Sequence, residues 1–516
     1  MQPQQQQYAG QQYPAQPQYP GQPQPPYPGQ PPQYTAQPPQ YPGQQYPPQP
    51  APAPAPNVIY VTSPTPVVTA APIQANTRWR NRPQTNATAA AGIIFVSGGA
   101  NLAYSTGWSP VASLFGDHYL YSWFIAVIIG CIISIPLRKF VAQRLILAIS
   151  TLLILISGII FASDPGNYDS LMAGRYLNGI AIGLATVPFL MNASEIADIQ
   201  YRGVCVSIEQ YSFSLGIAVQ MIYVSNWNEQ VDFPANRLHG ILDIIYAIFA
   251  ALSLVSVVDS PVDILRKGNE NAALETLARL RRPQGVTTET QRLLNEYKAY
   301  VREEEHLTWM QSFERGLVPL VKVLFIRSMM LAFCMSLPLN WSILYSIQTT
   351  YGTWVPTVSG IFRILGGIVA VGMVDNANRK IPSVFSMLII GCFLIGLGSL
   401  FQSYSNVFNY DDMNSAMYLY LFLQLFAGFF VPYTSIYVSE AFPLRAKPIL
   451  MAVVVIVEQI IHIIFIETVG NNLGDNLMTQ GIITVVVFLF LGVAMPETRN
   501  TTLTEAQIRF RKLLNL

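Results

Sequence analysis

Beyond residue 87 the apolar residues fall in runs of about twenty, separated by brief polar stretches, instead of the narrow stripe of a soluble amphipathic helix. At 1.5 Å of rise per residue, a run of about twenty matches the roughly 30 Å hydrocarbon layer of a bilayer. The pattern predicts twelve membrane helices, over 88–107, 119–137, 144–163, 171–192, 204–224, 238–258, 319–346, 354–374, 381–402, 416–437, 448–468 and 477–495. Numbered 1 to 12 in that order, they define an all-α membrane protein. The longest gap, 259–318, is rich in Arg, Lys and Glu, includes a helix-like run from Glu270 to Leu280, and divides the helices six and six. This gives a first half over 78–258, a linker over 259–318, a second half over 319–495 and a C-terminal tail over 496–516. Two such halves around a mid-membrane binding site are the plan of the two-repeat carriers.

Loop charge predicts the orientation, because Lys and Arg concentrate on the cytoplasmic side. The loops after helices 2, 4, 6, 8 and 10 hold Arg138 and Lys139, Arg202, the basic linker, Arg379 and Lys380, and Arg445 and Lys447. Those after odd helices carry little beyond Arg237. Both termini and the linker are therefore expected in the cytoplasm, and a plasma-membrane location is the expectation. The first fifty residues lack the basic and apolar regions of a cleavable signal peptide.

From Met1 to Thr77 no residue is charged, and Pro, Gln and Tyr dominate, a composition that cannot bury a core and predicts a disordered tail. Its strings Pro31-Pro32-Gln33-Tyr34 and Pro38-Pro39-Gln40-Tyr41 have the form that WW domains dock, so a WW-domain protein is a candidate partner.

Only 11% of the 516 residues are charged, against about 25% in soluble domains, and the net charge of +1 offers nucleic acid no attraction. Cys131, Cys205, Cys334 and Cys392 lie in apolar runs without metal-ligand or redox spacing. With no nucleophile–base or metal constellation, the reading is of no enzyme, no catalytic residue, no metal and no cofactor.

The segment with Gly174-Arg175, Gly179, Gly183, Glu195, Arg202-Gly203 and Gln210 resembles the GRxxxGxGxG…E…RG…Q pattern of the sugar porter family, in the major facilitator superfamily. Further matches follow in order. Asp259-Ser260-Pro261 with Arg266-Lys267-Gly268 looks like PESPRWLxxKG, and Asp375 to Lys380 like DRxGRR. Tyr437 to Pro443 looks like YxxEIFP, and Pro496 to Arg499 like PETKG. Asn101 to Leu114 is also similar to the first helix of the trehalose and hexose carriers. The resemblance implies the major facilitator fold and transport of a sugar, hexose, trehalose or a related polyol, by alternating access.

A latch reading follows. Arg202, Arg379, Lys380 and Arg445 at helix ends are within reach, in this architecture, of Glu195, Asp375, Glu440 and Glu497, in pairs that join when the cytoplasmic side closes.

The same resemblance aligns Gln210 and Asn340 with family sugar-binding positions. Elsewhere the chain departs: the paired glutamines of helix 7 fall at Cys334 and Met335, the helix 10 tryptophan at Ser435, and two cavity asparagines at Arg363 and Glu458. Since an unpaired mid-membrane charge costs on the order of 3 kcal/mol, an Arg363–Glu458 ion pair is expected in the cavity, with His462 one turn along. It has three open roles: binding a charged group on the substrate, carrying a proton, or locking the second half together.

Proton-coupled members usually carry GYDTG in helix 1, where this chain has Ala103-Tyr104-Ser105-Thr106-Gly107. Ser105 does not titrate, which favours facilitative uniport, although Glu458, Glu209 and Asp243 supply ionisable groups elsewhere. Tyr119, Tyr121 and Trp123 read as interfacial anchors. Two other function classes stay open: a carrier of a charged metabolite using Arg363 and Glu458, and a nontransporting nutrient sensor or scaffold whose tail recruits partners.

Overall fold

A computed structural model describes residues 83–109, 116–227, 233–281, 284–403, 405–469 and 472–515. The expected disordered tail over 1–77 and both PPxY strings lie outside the described residues.

Among the described residues, eleven helices are long and apolar enough to cross a membrane. Helix 5, Arg202–Asn226, is as long but too polar to qualify by composition, because Glu209, Gln210, Gln220 and four serines interrupt it. Its surroundings explain the exception, since it packs against helices 1, 8 and 10 inside the bundle. Helices 2 to 4 are Asp117–Phe140, Gln143–Ser163 and Tyr168–Ile196. Helix 6 is Ala235–Ser253, and helices 8 to 12 are Val355–Met373, Lys380–Phe401, Tyr410–Ala441, Lys447–Thr468 and Leu473–Ala494.

Two helices are segmented. Helix 1 runs as Pro83–Gly92 and Ile94–Ser105, ending where Gly107 takes a φ of +108°, a conformation that disfavours other residues. Helix 7 was expected to be continuous over 319–346. It instead begins at Trp309, widens into a π turn over Leu324–Met329, stops after Cys334, and restarts as Leu337–Thr350 with Ser336 as its cap. Pro338, which lacks an amide proton, suits the first turn of the restarted helix.

The helix pairs 1·5, 2·4 and 3·6 of the first half recur as 7·11, 8·10 and 9·12 in the second. Small residues allow the equivalent close approaches. A Cβ on Gly183 would lie 2.2 Å from the Val127 carbonyl oxygen of helix 2, and one on Gly428 would lie 2.0 Å from the Arg363 carbonyl oxygen of helix 8. Helix 2 meets helix 11 and helix 5 meets helix 8 along the seam between halves.

Lipid exposure sorts the helices. In the most apolar window of helix 4, 94% of residues are buried, against 28% in that of helix 6, so helix 4 lines the interior while helix 6 faces outward. Ile248, Phe249 and Leu252 on helix 6 are exposed apolar residues of the kind a bilayer covers. The chain is an integral multi-pass membrane protein.

The linker forms Pro261–Arg266, Glu270–Arg279 and Thr288–Glu305, capped by the side chains of Ser260, Asn269 and Thr287. Val262, Leu277, Leu294 and Val301 bury together with Leu444, after helix 10, and Leu503 of the C-terminal helix Leu503–Arg511. One end of the bundle therefore carries the linker and the last helix, and is called the linker end below.

Candidate functional site

Within the bundle, helices 1, 2, 4, 5, 7 and 11 enclose a cavity of about 20 Å³, the room of one water. Glu209, Gln210, Arg327, Glu458 and Gln459 form its polar wall, and Trp123, Val127, Ile182 and Phe213 its apolar one. Both halves contribute.

Arg327 is the centre of this wall. Its Nη2 donates to Glu209 Oε1 at 2.6 Å and its Nη1 to Glu209 Oε2 at 3.1 Å, a two-pronged bond that suits the planar guanidinium. The Ser435 hydroxyl donates to Glu209 Oε2 at 2.6 Å, and Glu458 Oε2 stands 3.8 Å from Arg327 Nε. Glu209 belongs to the first half, whereas Arg327, Ser435 and Glu458 belong to the second, so the ion pair crosses the seam. The π turn of helix 7 carries Arg327.

The expected Arg363–Glu458 pair does not form. Arg363 Nη1 instead donates to Gln424 Oε1 at 2.7 Å, because the close approach at Gly428 brings helix 10 against helix 8. Glu458 takes Arg327 as its nearest cation, and His462 stacks on Phe124 of helix 2 with ring centroids 4.7 Å apart. Gln210 lines the cavity and donates from Nε2 to Glu209 Oε1 at 3.2 Å. Asn340 lies toward the opposite end, donating to the Thr106 carbonyl at 2.8 Å and accepting from the Tyr420 hydroxyl at 2.9 Å. Of the four candidate binding residues, then, Gln210 and Glu458 share the cavity. Arg363 and Asn340 belong to a separate layer.

Tyr119 and Trp123 are buried, which corrects their reading as interfacial anchors. Trp123 Nε1 donates to Asn178 at 3.0 Å while its ring walls the cavity, and the Tyr119 hydroxyl bonds that of Tyr104 at 2.7 Å. Arg175 lies beside them. It donates to Ser105 at 2.8 Å, to Ser122 at 3.0 Å and to the Leu120 carbonyl at 2.9 Å, and lies over the rings of Tyr104 and Tyr119. Asp243 is met by Ser97 at 2.7 Å and by Asn101 and Asn178, each at 3.2 Å. Sequence reasoning missed Arg327 and Gln424 as site residues. An arginine inside the apolar run of helix 7 was the available signal for the first; nothing comparable marked the second.

At the linker end the latch residues do converge, with altered partners. Arg379 donates to Glu440 at 3.1 Å and Asp375 at 2.8 Å, and Arg202 lies 3.6 Å from Glu440 across the seam. Asp375 also accepts from the amides of Gly203 and Val204 at 3.0 and 2.8 Å, where the start of helix 5 presents unpaired N–H groups. Burial by itself depresses the Arg379 pKa, but the charges of Glu440 and Asp375 outweigh it and hold the guanidinium above its ordinary value. Glu497 accepts from the Arg379 and Lys380 amides, and Lys380 Nζ reaches the Asn515 carbonyl. Glu195 takes Ser260 at 2.5 Å and has Arg138 at 3.9 Å, a cation outside the expected set. Arg445 leaves the latch: it donates to the Leu307 carbonyl and covers the Trp309 ring.

A family model described as "Sugar (and other) transporter" matches residues 69–510. An arabinose-proton symporter of Bacillus subtilis is 24% identical over 413 residues, covering 74% of this chain and 84% of the symporter. A glucose transporter of Staphylococcus epidermidis is 24% identical over 76% of this chain and 87% of its own length. Among solved structures, the proton:xylose symporter XylE bound to 6-bromo-6-deoxy-D-glucose superposes with a TM-score of 0.69 at 18% identity, covering 83% of this chain and 98% of that one. A partially occluded, inward-open form of XylE from E. coli gives 0.61 at 20% identity, covering 81% and 99%. These are likenesses to transporters, and the solved structures carry the fold alone. With the family model spanning both halves and the major facilitator architecture around the seam, the chain belongs to the sugar porter family of transporters.

Proposed function

We propose that this protein carries a sugar or related polyol across a membrane by alternating access. The observation that carries the reading is a small polar cavity walled by both halves and sealed at two ends by different sets of bonds. Asp375 on the helix 5 amides and Glu440 near Arg202 seal the linker end; Asn340 on the Thr106 carbonyl seals the other. A carrier must release one seal while keeping the other, which a two-state rocking of the halves accomplishes. Gln210 offers an amide to sugar hydroxyls, and the adjacent Trp123 and Phe213 rings offer apolar faces.

The linker end faces the cytoplasm in this reading, supported by the Lys and Arg bias of its loops, and the membrane is the plasma membrane. Ser105 beside Arg175 leaves helix 1 without the carboxylate that proton-coupled family members carry there, which supports facilitative uniport. The test is uptake of labelled glucose and trehalose into proteoliposomes at two external pH values, with Gln210→Ala as the binding-site control. Saturable uptake, lost in the variant and unchanged by pH, is expected. Folded protein that moves neither solute refutes transport of these neutral sugars.

A further inference from the structure

The layer above the central cavity holds a buried cation that no carboxylate pairs among the described residues. Arg363 is 3% exposed and bonds only the amide oxygen of Gln424; among the described residues no carboxylate comes within 4.0 Å of it, while Glu209 and Glu458 both gather at Arg327. Among the described residues, buried Arg363 Nε has no acceptor, and buried Gln424 Nε2 and Trp108 Nε1 meet only the Tyr420 hydroxyl oxygen. They surround Tyr420, whose own proton is committed to Asn340. Arg363 and Gln424 come from helices 8 and 10 of the second half, and Trp108 from the turn that follows helix 1 in the first.

The chemistry of this set is one-sided. A neutral sugar hydroxyl brings a donor along with its lone pairs and does nothing for a fixed charge, whereas a carboxylate is all acceptor, offers about four lone-pair sites, and cancels the guanidinium. A buried charge left alone in a membrane protein is costly, and such residues mark substrate paths.

We propose that Arg363, Gln424 and Trp108 form a subsite for the carboxylate of an acidic sugar, a uronate or aldonate, whose hydroxylated body extends toward Gln210. The assignment rests on the carrier reading and specifies its substrate class. Binding there joins helix 1 to helices 8 and 10, so the acidic substrate closes the end opposite the linker over itself.

The test uses the full chain, purified in detergent and reconstituted into proteoliposomes. Binding of glucuronate and of glucose is measured by ligand-dependent thermal stabilisation, and uptake of each by radiolabel, for wild type, Arg363→Gln, Arg363→Lys and Trp108→Phe. Wild type is expected to bind glucuronate about tenfold or more tightly than glucose, the scale of one charge-assisted contact. Arg363→Gln, which can still bond Gln424, is expected to lose that preference, Arg363→Lys to keep part of it, and Trp108→Phe to weaken glucuronate alone. Equal affinity of the wild type for the two ligands overturns the assignment without recourse to any variant. Transport of glucose with no glucuronate binding overturns it and leaves the carrier reading intact, whereas glucuronate binding without uptake of either solute supports the subsite and sinks the carrier. Glucose uptake that requires chloride, retained when isethionate replaces it only in Arg363→Gln, overturns it in favour of an inorganic anion.

Discussion

Replacing Arg327 by Met would leave Glu209 as a fully buried carboxylate without its cation, stripped of the bonds at 2.6 and 3.1 Å and keeping the Ser435 hydroxyl and the Gln210 amide. Removing one partner of a buried pair costs about 3–5 kcal/mol, most of it the penalty of the charge left behind. Glu209→Gln is milder, on the order of 2 kcal/mol, because Arg327 still has Glu458 3.8 Å away. The double variant removes both buried charges and is expected to lie well above the sum of the singles in stability, with a coupling of about 2 kcal/mol. Unfolding in dodecylmaltoside micelles with rising SDS, followed by tryptophan fluorescence, measures all four proteins of the cycle. A coupling below about 0.5 kcal/mol would refute the claim that this pair stitches the two halves together.

Three further outcomes follow from other sites. A Cβ at Gly203 would lie 2.3 Å from Asp375 Oδ1, so Gly203→Ala should displace that carboxylate from the helix 5 amides at a cost of about 1–3 kcal/mol to the closed linker end. Faster labelling of a cysteine introduced at the seam is the readout, and unchanged labelling contradicts the latch. Glu304 in the linker is buried, and burial raises its pKa above 4.5, so the folded state binds that proton more tightly than the unfolded state and stability falls as pH rises through that window. Glu304→Gln should therefore melt above wild type at pH 7.5, with the difference vanishing below about pH 4; a constant difference across pH would dismiss the titration. Ser105→Asp would set a carboxylate where Arg175 Nη2 now meets a hydroxyl at 2.8 Å, and is expected to stabilise the protein by about 1–3 kcal/mol and to make sugar uptake respond to pH. Lower stability with pH-independent uptake would show that Arg175 does not accept a partner there.

The membrane helices were legible in the sequence because twenty apolar residues in a row have few other uses, and the family motifs pointed to the two-half fold that packs them. The charged cluster at the linker end was legible in its residues and only partly in its partners. Arg202, Arg379 and Asp375 sit at helix ends, where position along the chain fixes their height, yet Glu195 chose Arg138 and Arg445 turned to a carbonyl. The central charges were harder. Whether Glu458 meets Arg363 or Arg327 depends on how each helix is rotated, and the π turn over Leu324–Met329 adds a residue to one turn and so re-aims whatever it carries. No periodicity in VKVLFIRSMM announces that turn. The aromatic residues at the start of helix 2 show the same limit: Tyr119 and Trp123 have the composition of an interfacial belt, but helix 2 lies against helices 4 and 11 and turns them inward.

The polarity of helix 5 sets an order on biogenesis. A segment carrying Glu209, Gln210 and Gln220 gains little from lipid, and each charged residue placed at the centre of an inserting helix costs about 3 kcal/mol. The groups that receive it are made later in synthesis: Arg327 of helix 7 and Ser435 of helix 10 emerge more than a hundred residues after Glu209. Until then the first half holds an unanswered carboxylate on the face destined for the seam. The first half alone therefore carries Glu209 without its cation, and the two-pronged bond that answers it is complete only once helix 7 has been made.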